Sequence, residues 1–271
     1  NPQRPLYRRL LVELYGALAL PLVHRTLAED PAVAAAAREA LGRIGERAVK
    51  PLLDALGDDR EEQQRVAIEL LSRIRNPGAG PALIAYATGP AAPDLRARAM
   101  IAAGALGDPA LLPRFEGVLL DQGRARADEG DPVVVAAAWG VARVRHPRAR
   151  GLLVALVASE APSLRALGAL GLGLLPDPRS RALLVDVARE PGWGPLPRAA
   201  AADALGRLGG GASADVLTEL AATADPAVRG AAVLGLVRVR APDVDRVVAD
   251  ALVAADPEVQ RAAAAAAALL A

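Results

Sequence analysis

The sequence predicts an all-α protein, an α-solenoid of about eight helix pairs, on three observations. An Asp-Pro dipeptide followed by apolar residues at helical spacing recurs, as in "DPAVAAAAREALG" from Asp30 and "DPAVRGAAVLG" from Asp225. The copies follow one another at spacings of about 28 to 37 residues, which is typical of stacked repeats. The chain is 53% hydrophobic but only 2% aromatic, so its apolar content is mostly Ala, Leu and Val, which favours closely packed helices.

The first helix of each copy, helix A, begins with a capping residue. The Asp side chain accepts a hydrogen bond from a free N–H of the first turn, and Pro suits the next position because its missing N–H would be unpaired there. We expect Gly42, Gly107 and Gly206 to end helix A. The predicted copies begin near Asp30, Asp59, Asp94, Asp131, Ser163, Leu196, Asp225 and Asp256.

A second helix, helix B, follows a short turn in each copy, as in "AVKPLLDAL" and "RALLVDVAR". One copy alone could not bury its apolar faces, whereas stacked copies can, at roughly 1.5–3 kcal/mol for each buried Leu or Val. We expect residues 1–271 to form a single solenoid. In this prediction, residues 1–29 are a degenerate cap repeat, with helices over 5–19 and from Pro21, and residues 256–271 are a single-helix cap or a truncated repeat. Because the first residue is Asn1, we expect a processed or excised chain.

The phrase Asp-Pro-x-Val-Arg-x-Ala-Ala at 225–232, together with the Ala-Leu-Gly triplets at 40–42, 105–107 and 204–206, resembles the HEAT-repeat superfamily. The similarity is to the short-repeat type found in bilin-lyase-like proteins, and it spans residues 30–271. It specifies the fold and says almost nothing of function. The resemblance implies that the Arg of the phrase ties adjacent repeats together. Ala34 and Val135 stand where that Arg is expected, so we expect packing alone to hold those junctions.

Composition excludes several classes of function. The chain has no Cys, so disulfides, thiolate catalysis and Cys-based metal sites are excluded. With 32 basic and 31 acidic residues, the net charge of +1 gives no general attraction to nucleic acid or membranes. The segment 8–23 faintly resembles a signal peptide, but Glu13 and Pro21 interrupt it, and no uncharged run reaches the ~20 residues of a membrane span. The compartment is left open: it is the cytoplasm or, if a signal peptide was removed, the periplasm. The abundance of Ala, Gly, Pro and Arg is typical of a GC-rich genome and indicates a bacterial source.

Enzymes of similar architecture provide alternatives. The dinuclear-iron hydroxylases of this architecture carry His-Glu dipeptides, whereas His24 and His146 do not precede Glu. DNA glycosylases of the HEAT-like type use aromatic and basic residues. In this chain we expect Trp139 in the core, while Tyr86 could face the inner surface. No Cys or clustered His marks a bilin site. We therefore predict no catalytic, cofactor-binding or metal-binding residues, and keep a bilin lyase-like or DNA glycosylase-like protein as the alternative.

The turns suggest where a partner binds. The turns from helix A to helix B hold 16 basic and 6 acidic residues, and those from B to A hold 20 acidic and 12 basic residues. Charges that suit the helix dipoles explain part of this unequal distribution of charge. From the part that they do not explain, we predict a basic edge that binds an acidic protein surface. It is densest at Arg143, Arg145, Arg148 and Arg150.

Two connections from helix B to helix A are longer than the others. Residues 122–130 are polar, and we expect them to be mobile. In "EPGWGPLP" (190–197), Trp193 either folds back onto the stack or is an exposed anchor for a partner. The predicted function is a non-enzymatic scaffold, adaptor or assembly subunit that binds another protein and no nucleic acid or cofactor.

Overall fold

The computed structural model of the chain describes residues 19, 21–121, 124–125 and 130–270. The fold class is the predicted one, all-α with the alternating helices A and B of an α-solenoid. The A helices are α1 Pro31–Ile44, α3 Glu61–Ile74, α5 Pro93–Ala105, α7 Pro132–Arg143, α9 Pro162–Gly173, α11 Pro195–Leu208, α13 Pro226–Arg238 and α15 Pro257–Leu270. The B helices are α2 Val49–Asp54, α4 Gly80–Ala87, α6 Leu112–Leu119, α8 Arg150–Val157, α10 Arg181–Arg189, α12 Gly211–Ala221 and α14 Val244–Leu252.

The chain divides into two compact units, residues 1–114 and 115–271, which are described separately. That they form one solenoid over 1–271 stays a prediction. Residues 21–25 are helical, whereas most of the helix expected over 5–19 lies outside the described residues. Among the described helices, none combines the length and the apolar character needed to cross a membrane.

The segment predicted to be mobile begins with a short hairpin. Strand β1 (Leu120–Asp121) pairs antiparallel with β2 (Arg124–Ala125), with Leu120 opposite Ala125. The other residues of 122–130, except Gly130, lie outside the described part of the chain.

The Asp-Pro caps form as predicted. The carboxylate oxygens of Asp30, Asp131, Asp225 and Asp256 accept hydrogen bonds from the amide two residues later, at 2.8 to 3.0 Å. Where Asp-Pro is missing, the helix begins within two residues of the predicted position. The capping residues there are Arg60, Ala92, Ala161 and Gly194. In the last three cases a Pro occupies the first helical position and sets the start of the helix.

The glycines that end helix A are not those predicted, with one exception. Gly107 has a φ of 65° and follows α5, as expected. The predictions for Gly42 and Gly206 are wrong, because α1 continues to Ile44 and α11 continues to Leu208. Gly45 and Gly209 end these helices instead, with φ of 65° and 69°.

A side chain at the fourth position of helix A ties that helix to the preceding helix B. In α9, Arg165 donates from Nε to the carbonyl of Val157 at 3.0 Å. The same tie is made at four other junctions, by Gln64 to Asp58, Arg96 to Ala87, Arg198 to Ala188 and Gln260 to Ala254, at 2.7 to 3.0 Å. Each bond satisfies a carbonyl that the end of helix B leaves unpaired. Neighbouring repeats are thus held by a directional contact as well as by apolar packing.

Three junctions depart from this rule. Ala34 has no donor, but Arg38, one turn later, donates to the carbonyl of Thr26 at 3.4 Å, so the expectation that packing alone holds this junction is wrong. Val135 has no donor either. The expectation that packing alone holds its junction stays a prediction. Arg229 belongs to the best copy of the repeat phrase, yet its Nε is buried without a hydrogen-bond partner. The expectation of a tie at this position is wrong.

Candidate protein-binding surface

The four arginines predicted to form the densest part of the basic edge lie in one turn. Helix α7 ends at Arg143, α8 begins at Arg150, and a 3₁₀ turn over Pro147–Ala149 connects them. Arg143, Arg145 and Arg148 are exposed, and within the described residues their side chains form no hydrogen bond or ion pair. We refer to these three residues as the arginine turn.

Arg145 adopts a left-handed backbone conformation, with a φ of 49°. Arg75 and Arg240, at the equivalent position after α3 and α13, have φ of 55° and 53°. In a residue with a Cβ this conformation costs roughly 1–2 kcal/mol, and Gly107 shows that glycine can end helix A in the same region. All three arginines are exposed. The conformation is therefore accepted without burial of the side chain, and it recurs where helix A ends in three copies.

His146 caps the 3₁₀ turn that follows Arg145. Its Nδ1 accepts a hydrogen bond from the amide of Arg148 at 3.2 Å. Asn76, Asp108 and Asp177 cap the corresponding turns in the same way, at 2.8 to 3.0 Å. At His146 the capping group is an imidazole, so the cap brings no carboxylate to the turn.

Arg150 does not belong with the three unpaired arginines. Its side chain is half-buried, and its Nε lies 3.0 Å from Oδ2 of Asp177. Asp177 also accepts two charge-assisted hydrogen bonds from Arg179, at 2.9 Å each. The bond to the Arg179 side chain is the main reason that the pKa of Asp177 lies below its usual value, and the charge of Arg150 adds a smaller effect. Arg150 is therefore paired, but it shares its carboxylate with Arg179.

Trp139 positions one of the unpaired arginines. The guanidinium carbon of Arg143 lies 4.7 Å from the centroid of the Trp139 ring, within the range of a cation–π contact. Trp139 is half-buried, so the expectation of a core residue is wrong. One face of its ring supports an arginine that remains exposed.

Trp193 lies against the stack. The guanidinium carbon of Arg165 is 3.0 Å from the centroid of the Trp193 ring. Arg165 is only 4% exposed and donates to the carbonyls of Val157 and Ser159. Burial lowers the pKa of Arg165, and the charge of Glu160 opposes that shift. Of the two alternatives, Trp193 takes the folded-back position over a junction tie, and its use as an anchor for a partner stays a prediction.

A family model for HEAT repeats matches residues 49–130 and 194–268, which together make up more than half of the chain. The chain belongs to the HEAT-repeat family. The predicted resemblance is thus confirmed. A search of curated proteins finds none that matches the sequence.

Several solved structures are similar to this chain. YibA of Escherichia coli is similar with a TM-score of 0.51 at 14% identity, over 92% of this chain and 91% of that one. Human deoxyhypusine hydroxylase gives a TM-score of 0.42 at 16% identity, over 99% of both chains. The complex of CpcE and CpcF of phycocyanin lyase from Nostoc sp. PCC7120 gives 0.48 at 21% identity, over 92% of this chain and 93% of that one. At these identities the likeness concerns the fold alone.

Two of the residues considered for the enzyme alternatives, His146 and Tyr86, have structural partners. His24 is exposed, whereas His146 caps a turn in the other unit. In the described ranges, no group of three or more His, Asp or Glu side chains is placed to hold a metal ion. Tyr86 is half-buried, and its hydroxyl donates to Oε1 of Gln64 at 2.6 Å. Burial raises the pKa of Tyr86. Its hydroxyl therefore supports a residue that ties two repeats.

Two features of this HEAT-repeat surface escaped the sequence analysis. One is the cap of the turn from A to B, for which the signal was present, since Asn76, Asp108, His146 and Asp177 each precede Pro. The other is the ion pair between Arg150 and Asp177, which joins turns of successive copies. No local pattern predicts it, because many oppositely charged residues stand at similar separations in a repeat.

Proposed function

We propose that this HEAT-repeat protein is a non-catalytic scaffold or adaptor that binds another protein through the arginine turn. The observation that supports the proposal is a turn with three exposed, unpaired arginines whose cap brings no carboxylate. The corresponding turn at Asp177 shows the contrast, because there Arg150 and Arg179 are paired with a carboxylate.

The partner surface that fits the arginine turn is acidic. Exposed guanidinium groups attract carboxylates over about one Debye length, roughly 8–10 Å at physiological ionic strength. Such charges act mainly on the association rate and on specificity, and their effect weakens as salt is added. A net charge of +1 gives the whole chain no comparable attraction, so the arginine turn would select the partner locally.

The test begins with the full chain as bait in its native cell, followed by mass spectrometry of the proteins cross-linked to it. The affinity for the identified partner is then measured for the wild type and for the triple variant Arg143→Glu, Arg145→Glu and Arg148→Glu. We expect a loss of about tenfold or more at low salt, with a smaller difference at high salt. Unchanged affinity of the triple variant at low salt would refute the proposal.

A matched control separates this surface from the overall charge. Arg25, Arg114 and Arg261 are exposed and, within the described part of the chain, form no ion pair. Changing these three to Glu alters the net charge by the same amount and should leave the affinity within about twofold. Equal losses in the two triple variants would assign the effect to net charge rather than to the arginine turn. A purified chain that carries stoichiometric metal or chromophore, or that shifts DNA at physiological salt, would favour the alternative class.

A further inference from the structure

A groove opens between the two B helices α12 and α14, in the unit formed by residues 115–271. Its volume is about 310 Å³, and helices α13 and α15 also contribute to it. The apolar residues that line it include Val233, Leu236 and Val247, and the polar groups include Arg229, Arg246 and Asp250. We refer to this cavity as the α12–α14 groove.

Arg229 is the unusual member of the groove. Arg96, Arg165 and Arg198 occupy the same position in their helices, and each donates from Nε to a carbonyl at the end of the preceding helix B. The Nε of Arg229 is buried without a partner, and its side chain makes no hydrogen bond or ion pair to any described residue. A buried, unpaired guanidinium nitrogen is unfavourable, and such a group calls for a bound acceptor.

The charges of the groove indicate which acceptor it takes. Arg229 and Arg246 bring two positive charges against the single negative charge of Asp250, and none of the three is paired within the described chain. A carboxylate would restore the balance and could accept two parallel hydrogen bonds from one guanidinium fork. Ala221, Val247 and Ala254, the partly exposed apolar residues of the lining, would contact an aliphatic side chain next to that carboxylate.

We propose that the α12–α14 groove binds an acidic side chain of a partner protein, flanked by aliphatic residues, with the carboxylate on Arg229. The inference rests on the proposed function, because it requires that the chain bind a protein. It adds a second recognition site made of different residues from the arginine turn. At the other junctions the arginine serves cohesion between repeats, whereas at this junction the same arginine serves recognition.

The probe is the blocked peptide acetyl-Ala-Leu-Glu-Leu-Ala-amide, and its Gln counterpart is the uncharged control. Each is titrated into the full chain with labelled Leu and Val methyl groups, observed by NMR. We expect the Glu peptide to shift the methyl signals of Val233, Leu236 and Val247 in a saturable manner, with a Kd below about 1 mM. The Gln peptide should bind at least about tenfold more weakly, because it cannot form a charged pair with Arg229.

Variants assign the binding to the groove. Arg229→Gln and, independently, Arg246→Gln should each weaken the Glu peptide, Arg229→Gln by about tenfold or more, whereas the exposed control Arg261→Gln should not. Arg229→Gln is expected to fold, since the side chain makes no bond to the described chain, and circular dichroism checks this. Absence of saturable shifts up to about 5 mM, equal binding of both peptides, or shifts confined to other methyl groups would overturn the proposal. Because the probe does not involve the arginine turn, failure of the peptide to bind leaves the triple-variant test of the proposed function intact.

Discussion

Gly206 and Gly235 bring the backbones of helices α11 and α13 into direct contact. A methyl group built on Gly206 would lie 2.5 Å from the Cα of Gly235, closer than two carbon atoms can approach. A methyl group on Gly235 would in turn lie 2.8 Å from a Cδ atom of Leu217. The two glycines are therefore required by the packing of neighbouring A helices, and the conformational freedom of the backbone is not involved.

We expect Gly206→Ala to lower the free energy of unfolding by about 1–3 kcal/mol, because the added methyl forces α11 and α13 apart. The control is Gly151→Ala in α8, where a methyl group would meet no atom within 4 Å. That change should be neutral or stabilise by up to about 1 kcal/mol, since alanine favours a helix more than glycine does. Urea titrations of both variants provide the measurement. Similar effects in the two would contradict the assigned contact.

The side-chain hydrogen bond at a junction should contribute to the free energy of unfolding at Arg198 but not at Arg229. Arg198→Met keeps most of the side chain but removes the 3.0 Å bond to the carbonyl of Ala188, and we expect a loss of about 1–3 kcal/mol. Arg229→Met removes a buried guanidinium nitrogen that makes no bond, so it should be neutral or stabilising. Thermal unfolding followed by circular dichroism compares the two. An equal loss at Arg229 would show that the arginine acts through its apolar stem.

The fold could be predicted from the sequence because the repeats share the same helix-capping and helix-forming residues. Asp225 and Pro226 specify a helix start by themselves, and the structure forms that cap. Glycine was harder to interpret, because it serves both as a helix end and as a close contact. Gly206 serves the second role and Gly209 the first, and only the position of a neighbouring helix distinguishes them.

The candidate site was predictable only in part, since it depends on which charges find partners. The concentration of arginine at 143–150 could be counted in the sequence, but the pairing of Arg150 with Asp177 required the fold. The groove at Arg229 is marked by a hydrogen bond that is not made. The sequence could not indicate the missing bond, because the residues around Arg229 match the repeat phrase well and therefore predict that the bond is made.

At Arg145 glycine and alanine should reverse their usual order of stability. With a φ of 49°, Arg145→Gly should be more stable than Arg145→Ala by about 1 kcal/mol, because alanine retains the Cβ that disfavours this conformation. At Arg148, within the 3₁₀ turn, alanine should be the more stable of the two. Chemical denaturation of the four variants provides the comparison. The same order at both positions would refute the strain assigned to Arg145.

Asp58 provides a prediction for acidic pH in the other unit. Hydrogen bonds from the side chain of Arg60, and then from its backbone, lower the pKa of Asp58 from 3.8 to about 2. Because the folded pKa lies below the unfolded value of about 3.9, the contribution of this carboxylate to stability is present above that value. It is lost as the pH falls through about 2. An NMR titration of the Asp58 carboxyl carbon should give a midpoint near 2, and Arg60→Gln should raise it toward 3.8. An unchanged midpoint in the variant would contradict the assignment of the lowered pKa to Arg60.

A single substitution at His146 should lower the affinity of the arginine turn for an acidic partner while preserving the fold of the turn. Asp177 occupies the corresponding place in the next copy, where it caps its turn and pairs with Arg179 at 2.9 Å. By the same geometry, the carboxylate introduced by His146→Asp would accept the amide of Arg148 and pair with its guanidinium. We expect stability to be kept or raised, and the affinity for an acidic partner to fall several-fold, since one of three free charges is compensated. His146→Asn keeps the cap without the charge, as Asn76 does, and should bind like the wild type. Equal affinities of the two variants at low salt would mean that unpaired charge in this turn does not govern binding.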